Sequence, residues 1–266
     1  YTASFDGFVR DASSGGGIDP LTIIFSAGNS GTSGLTRPKV AKNVIAVAAS
    51  ENLRPTLPNS GGSTGAADNL EQIPDFSSRG LAADGRIKPD VTAPGDAVTG
   101  GRSGSDPLFG NIDIYHRVSS GTSHAAPQVA GAAALFTQFW KNSHSGQNPS
   151  PSLVKAAIIN SAVEMTGAGA TQAMPNGSEG WGRVNLRFLL DPAAARYFVD
   201  DTDTRSILSD TGDRVVFTGR IADETKPLKI TIAWSDPPGA AQPALVNDLD
   251  LVVYVGGTPY RGNVFS

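Results

Sequence analysis

The chain has 266 residues, no cysteine, and a formal net charge of −4 from 21 basic and 25 acidic side chains. With no basic block, nothing draws it to nucleic acid or an anionic membrane, and without thiols it has neither disulfides nor cysteine-ligated zinc. Its 31 glycines and 18 prolines against 17% charged residues describe a globular protein rich in tight turns, not a helical bundle or a disordered tail.

The first ten residues put Phe5, Phe8 and Val9 on one side of a helix, and they begin abruptly without Met, as expected for a piece of a longer protein. They do not form a secretion signal, and no apolar run reaches the length needed to span a bilayer. LTIIFS, 21–26, is a short unbroken apolar run ending in AGN; it predicts a central parallel strand buried on both faces. Ligands of such sheets sit beyond the carboxyl ends of the strands, where Asn29 falls. VIAVAA, 44–49, repeats the pattern. Residues 51–73 turn to Pro, Gly, Asn and Ser, a surface excursion, before DFSSRG (75–80) and DGRIKPDVTAPG (84–95) return to sheet-like and turn residues.

A second loop-rich stretch, 100–118, contains His116 and leads into SSGTSHAAPQVAGAAAL, 119–135. Gly121 gives the backbone room for an unusual turn, and Ser123 then opens a run with apolar residues on every face. This predicts a fully buried helix to about Trp140. Ser150-Pro151 reads as an N-cap followed by proline at the first helical position, opening the helix LVKAAIINSAV. Asn176-Gly177 marks a tight turn, and GWGRVNL, 180–186, closes an α/β part expected to end near residue 190.

Beyond that point the period changes to two. Leu228, Ile230, Ile232 and Trp234 alternate with Lys229, Thr231 and Ala233, and Leu249, Leu251, Val253 and Val255 alternate likewise. With 197–201 and 214–221 this gives about four short strands, against ~8 for a complete jelly roll. The expected organisation is an α/β domain over 1–190 and part of an all-β sandwich over 191–266.

Ser123 at a helix N-terminus lies at the positive end of the macrodipole, where free N–H groups would stabilise an oxyanion; the arrangement suits acyl transfer. The same serine also reads as an ordinary N-cap, and Asn29 as an ordinary turn residue. A serine nucleophile needs a base. His124 is the next residue along the helix and does not face it, and His144 lies past the helix end, ~25 Å away at 1.5 Å per residue. His116, on a loop, is not excluded by spacing. Asp248 and Asp250, with Asn247 beside them, fall on one face of a strand. They suit either a hard oxygen-ligated cation or a solvated acidic edge.

GTSHAAPQVAGAAAL resembles the serine motif of the subtilisin-like proteases, GTS followed by Met-Ala-Ser/Thr-Pro and a small-residue helix containing VAG. ENLRP, FSSRG, DGRIKPDV, GWGRV, LKITIAWSDPPG and LVNDLDLVV resemble a bacterial alkaline subgroup of that family with a C-terminal β-barrel or jelly-roll domain. The resemblance implies a parallel sheet with helices on both faces. It makes Ser123 the nucleophile and the Asn29 amide, within AGNSG, the oxyanion donor alongside the Ser123 N–H. Ala27, Gly28, Gly121 and Thr122 fall at substrate-binding positions, and Pro38 at one that shapes the substrate pocket.

The family's catalytic Asp and His precede the AGN strand, so they are expected upstream of these residues, leaving this piece inactive alone. Structural calcium would fall at Asn247, Asp248 and Asp250. The implied protein is a secreted bacterial endopeptidase acting on polypeptides, a monomer when complete, with neither nucleic acid nor membrane as partner. His124 replaces the usual oxidisable Met, which implies tolerance of peroxide. The related sedolisins use Glu as base and Asp in the oxyanion hole, and Asn29 argues against them. A non-catalytic scaffold keeping the fold is the rival of another class; an upstream Asp and His would separate the two.

Overall fold

A computed structural model describes residues 2–56, 67–103, 111–240 and 244–263. Part of the 51–73 excursion and part of the 100–118 stretch lie outside them. Helix α1 spans Thr2–Arg10, and a parallel sheet follows from β1 (Ile24–Ser26), β2 (Ile45–Ser50) and β3 (Val91–Pro94), in the order β1-β2-β3. Ile24 pairs with Ile45, and Val47 with Val91.

β2 is the centre: all six of its residues are buried. Alternation sends Ile45, Val47 and Ala49 to one face, where they meet α2 (Thr122–Ser143) and α3 (Pro151–Ser161) in the main core. The other face is covered by α1, whose Val9 packs with Ala41 and Val44 against Ile23 and Phe25. The helices therefore lie on both faces of the sheet, as expected.

LTIIFS departs from expectation. Only Ile24–Ser26 pairs, at the edge of the described sheet, and its residues are half-buried while Leu21 is exposed. A continuous apolar run is the pattern of a strand flanked on both sides, and among the described residues β1 has a neighbour on one side only. In α1, Phe8 is exposed, and Asp6 turns inward to accept a hydrogen bond from the Asn43 N–H.

α2 also differs from the fully buried helix expected of it. Beyond Thr122, its buried residues, Ala125, Val129, Ala132, Ala133, Phe136 and Trp140, form one stripe, while Pro127, Ala130, Gly131, Ala134 and Leu135 are exposed. Small residues make every face read as apolar, but the sheet buries one. α3 starts as predicted: Ser150 Oγ accepts from the Leu153 N–H at 3.0 Å, with Pro151 at the first helical position.

Residues 98–119, expected as loop over most of their length, contain an antiparallel hairpin of β4 (Val98–Gly101) and β5 (His116–Ser119). Asn176 and Gly180 exchange both backbone hydrogen bonds across the predicted turn, and Arg183 bridges to Thr92 and Val163, closing the α/β part ahead of α4 (Leu186–Leu190).

Of the expected C-terminal strands, only Val252–Val255 (β6) forms, paired with Thr258–Arg261 (β7). Residues 197–201, 214–221 and 228–234 carry no ladder, and Leu228, Ile230 and Ile232 are exposed. Period-two alternation marks a face that needs an opposing sheet, and the described residues supply none. No helix among the described residues is long and apolar enough to cross a membrane.

Candidate active site

The carboxyl end of β1 and the start of α2 meet through one side chain. The Thr122 N–H donates to Asn29 Oδ1 at 2.9 Å, and the Thr122 hydroxyl donates to the same oxygen at 2.9 Å while accepting from the Gly28 N–H at 3.0 Å. A backbone N–H can only donate, so the amide oxygen of Asn29 must face Thr122 and Nδ2 must face away. The direction it faces is defined by Gly121. A Cβ on residue 121 would lie 3.2 Å from Asn29 Nδ2 and 3.8 Å from the Ser123 nitrogen. Asn29 Nδ2 and the Ser123 nitrogen thus lie beside the space that a side chain at residue 121 would fill, open because that residue is glycine, whose φ of 153° side chains rarely adopt.

Ser123 is exposed, and its hydroxyl makes no hydrogen bond among the described residues. None of the three histidines serves it. His124 Nε2 pairs with Ser119 Oγ at 3.0 Å, His116 Nδ1 with Asp113 at 2.9 Å, and His144 stacks on Trp140 with ring centroids 3.5 Å apart.

The surrounding loops are pinned by residues whose roles the sequence does not announce. Ser78 Oγ accepts from the Ser30 N–H and Ser77 Oγ from the Ala49 N–H, each at 3.0 Å. Gly95 lets the end of β3 approach the serine loop, its carbonyl accepting from the Gly121 N–H at 2.8 Å. An open depression of about 530 Å³ begins at Asn29 and runs over Gly31, Asp75, Phe76 and Arg79. Ala27 and Thr122 are fully buried, so they shape the site from behind.

At the opposite end of the sheet lies a charged cluster. Asp90 Oδ2 accepts from Lys88 Nζ at 2.6 Å and from the Ala46 N–H at 2.7 Å, and Lys155 Nζ lies 3.0 Å from Oδ1. Lys88 Nζ also donates to the Val44 carbonyl at 2.9 Å. Burial lowers the Lys88 ammonium to about 7, against the pull of Asp90 and with the push of Lys155. Burial would raise Asp90, but Lys155 and Lys88 outweigh it and hold the carboxyl below the usual range. The cluster joins β2 to β3.

The residues expected to ligate a metal lie just before β6. Asp248 and Asp250 are exposed in irregular chain that precedes β6 rather than on a strand, and the Asn247 N–H is spent on Asp236 Oδ1. Among the described residues no group of three or more His, Cys, Asp or Glu is placed to hold a metal ion.

A parallel sheet carrying an asparagine at one strand end, and a serine at the start of the helix it holds, defines an α/β protein with a candidate serine site. Residues 3–182 match Peptidase S8, and the chain belongs to the subtilase family. It is 31% identical over 218 residues to the serine protease/ABC transporter B family protein tagA of Dictyostelium discoideum, covering 71% of this chain and 12% of that protein. It is 34% identical over 131 residues to the subtilisin-like protease SBT4.11 of Arabidopsis thaliana, covering 47% of this chain and 16% of that one. The chain therefore spans a small part of both relatives. The crystal structure of a lanthipeptide protease shares the fold, with a TM-score of 0.50 at 21% identity over 71% of this chain and 54% of that chain.

Proposed function

We propose that these residues form the nucleophile-bearing part of a secreted, monomeric serine endopeptidase acting on polypeptides. The observation that carries the reading is that Asn29 Nδ2 and the Ser123 nitrogen lie beside the same open space at Gly121. A base takes the proton from Ser123 Oγ as the oxygen attacks the peptide carbonyl carbon. Charge then develops on the carbonyl oxygen, which the two donors stabilise in place. The C–N bond breaks, the amine departs with the proton, and water releases the acyl group from Ser123 by the same route. Substrate would lie along the depression beside Asn29.

The base is an imidazole oriented by a carboxylate, carried by a segment other than the described residues, since no histidine here reaches Ser123. The exposed apolar face of α2 and the unpaired edge of β1 are surfaces such a segment could cover. The period-two segments after residue 190 would contribute strands to part of a β-sandwich.

That no histidine among the described residues reaches Ser123 also favours a second reading, a scaffold with the subtilase fold and no activity. A fluorophosphonate probe separates the two when applied to the complete protein and mapped by peptide mass. The enzyme reading expects an adduct on Ser123 that vanishes in Ser123→Ala. No adduct, or one on another residue, leaves the scaffold.

A further inference from the structure

Lys42 lies in the loop before β2 and is 7% exposed, yet none of its side-chain partners belongs to the α/β part. Its Nζ donates to Asp236 Oδ2 at 2.5 Å and to the Pro237 and Ala244 carbonyls at 2.6 Å each. An ammonium has three protons, and all three are used on one loop. Asp236 is 1% exposed and equally satisfied, accepting also from the Val246 and Asn247 N–H groups at 2.8 Å.

Asn43, the next residue, closes the join in both directions. Its Nδ2 donates to the Asp236 carbonyl at 2.8 Å and to the Asp6 carbonyl of α1 at 3.0 Å, and its Oδ1 accepts from the Asp236 N–H at 2.9 Å. The same segment is fixed a second time at the end of α3. Lys229 Nζ donates to the Ala162 carbonyl at 2.7 Å, and Asn160 Nδ2 donates to the Lys229 carbonyl at 3.2 Å.

We propose that residues 229–240 and 244–247 form a strap locked onto the subtilase part by the buried Lys42–Asp236 pair. The surface made by Lys42, Asn43 and Asp6 is a socket whose partner is the acidic SDPPG loop of the same chain. A hydrophobic contact would tolerate sliding, whereas a buried ion pair whose three ammonium protons are all used and whose carboxylate accepts three hydrogen bonds fixes one register, because any other leaves a charge unpaired in the interior. The strap is thereby part of the folded unit that α1, β2 and α3 build, not a tail that follows it. Its lock also connects inward: Lys155 Nζ donates to the Lys42 carbonyl at 2.8 Å and reaches Asp90 of the cluster joining β2 to β3.

Amide hydrogen exchange on the unaltered chain tests this first. The Asp236, Val246 and Asn247 amides should exchange together with those of α1, at the rate of one shared opening. Exchange at the rate of free amides would overturn the proposal without any variant. Lys42→Met should then speed exchange at Asp236, Val246 and Asn247 by about tenfold or more, with α2 unchanged, because a buried charged hydrogen-bond network is lost. Asp236→Asn, which keeps the shape and the Asn43 bonds, should give a smaller rise. A Lys42→Met chain that exchanges within twofold of the parent contradicts the lock. If Lys42→Met does not fold, the parent measurement and Asp236→Asn decide.

Discussion

At the scale of single residues, the candidate site depends on Thr122 more than its place in GTS announces. Its hydroxyl is a donor to Asn29 and an acceptor from Gly28 at once. In the complete enzyme Thr122→Val should therefore lower kcat by about tenfold with KM little changed, since a loosened amide acts on the transition state. Steady-state kinetics on a peptide amide checks this; a rise in KM at constant kcat would assign Thr122 to substrate binding instead. Ser123 and Asn29 are legible because GTS and AGN are local motifs. The Thr122–Asn29 bond is not, because its partners are 93 residues apart. Nor is the charge cluster, for a lysine looks solvated until the fold closes over it. Lys88 has its ammonium depressed to about 7, below its unfolded value. Between that value and about 10.5 the unfolded chain binds more protons than the native one, so stability should rise with pH across the window. Denaturant titrations at pH 7 and pH 10 check the sign: Lys88→Met should flatten the rise, and an equal slope in both chains would show that Lys88 stays charged.

At the scale of elements, α2 shows how composition conceals which face is packed. Phe136 is fully buried against Phe139, Trp140 and Phe198, while Leu135 beside it is 45% exposed. In this chain Phe136→Ala should cost about 3–5 kcal/mol, and Leu135→Ser should change stability by less than about 0.5 kcal/mol, measured by denaturant midpoints. Equal costs would mean that both faces are packed. The sequence resolves β2 because its burial is complete on both sides. It misplaces LTIIFS because an apolar run reports hydrophobicity, not the number of neighbouring strands. α3 is legible from its first two residues, whose capping chemistry is local. The β4–β5 hairpin escapes because its glycine-rich strand offers no alternation to read.

At the scale of the whole molecule, two polar joins divide the work. The cluster of Lys88, Asp90 and Lys155 holds the sheet at the end away from Ser123, and the Lys42–Asp236 lock holds the C-terminal strap to it. The site end is left to glycines and loop serines that let β1, β3 and α2 approach. The period-two texture after residue 190 was legible as a pattern, but a sheet is a pairing between segments, and the described residues pair only β6 with β7. The proposed function rests on the Asn29 amide and the Ser123 nitrogen lying beside one open space at Gly121, and removing the amide in the complete protein tests it most directly. Asn29→Ala should reduce kcat for a peptide amide by about 10²–10³-fold, the loss known for this kind of donor in subtilisin itself, with KM within about twofold of the parent. An Asn29→Ala enzyme with unchanged kcat would contradict the account.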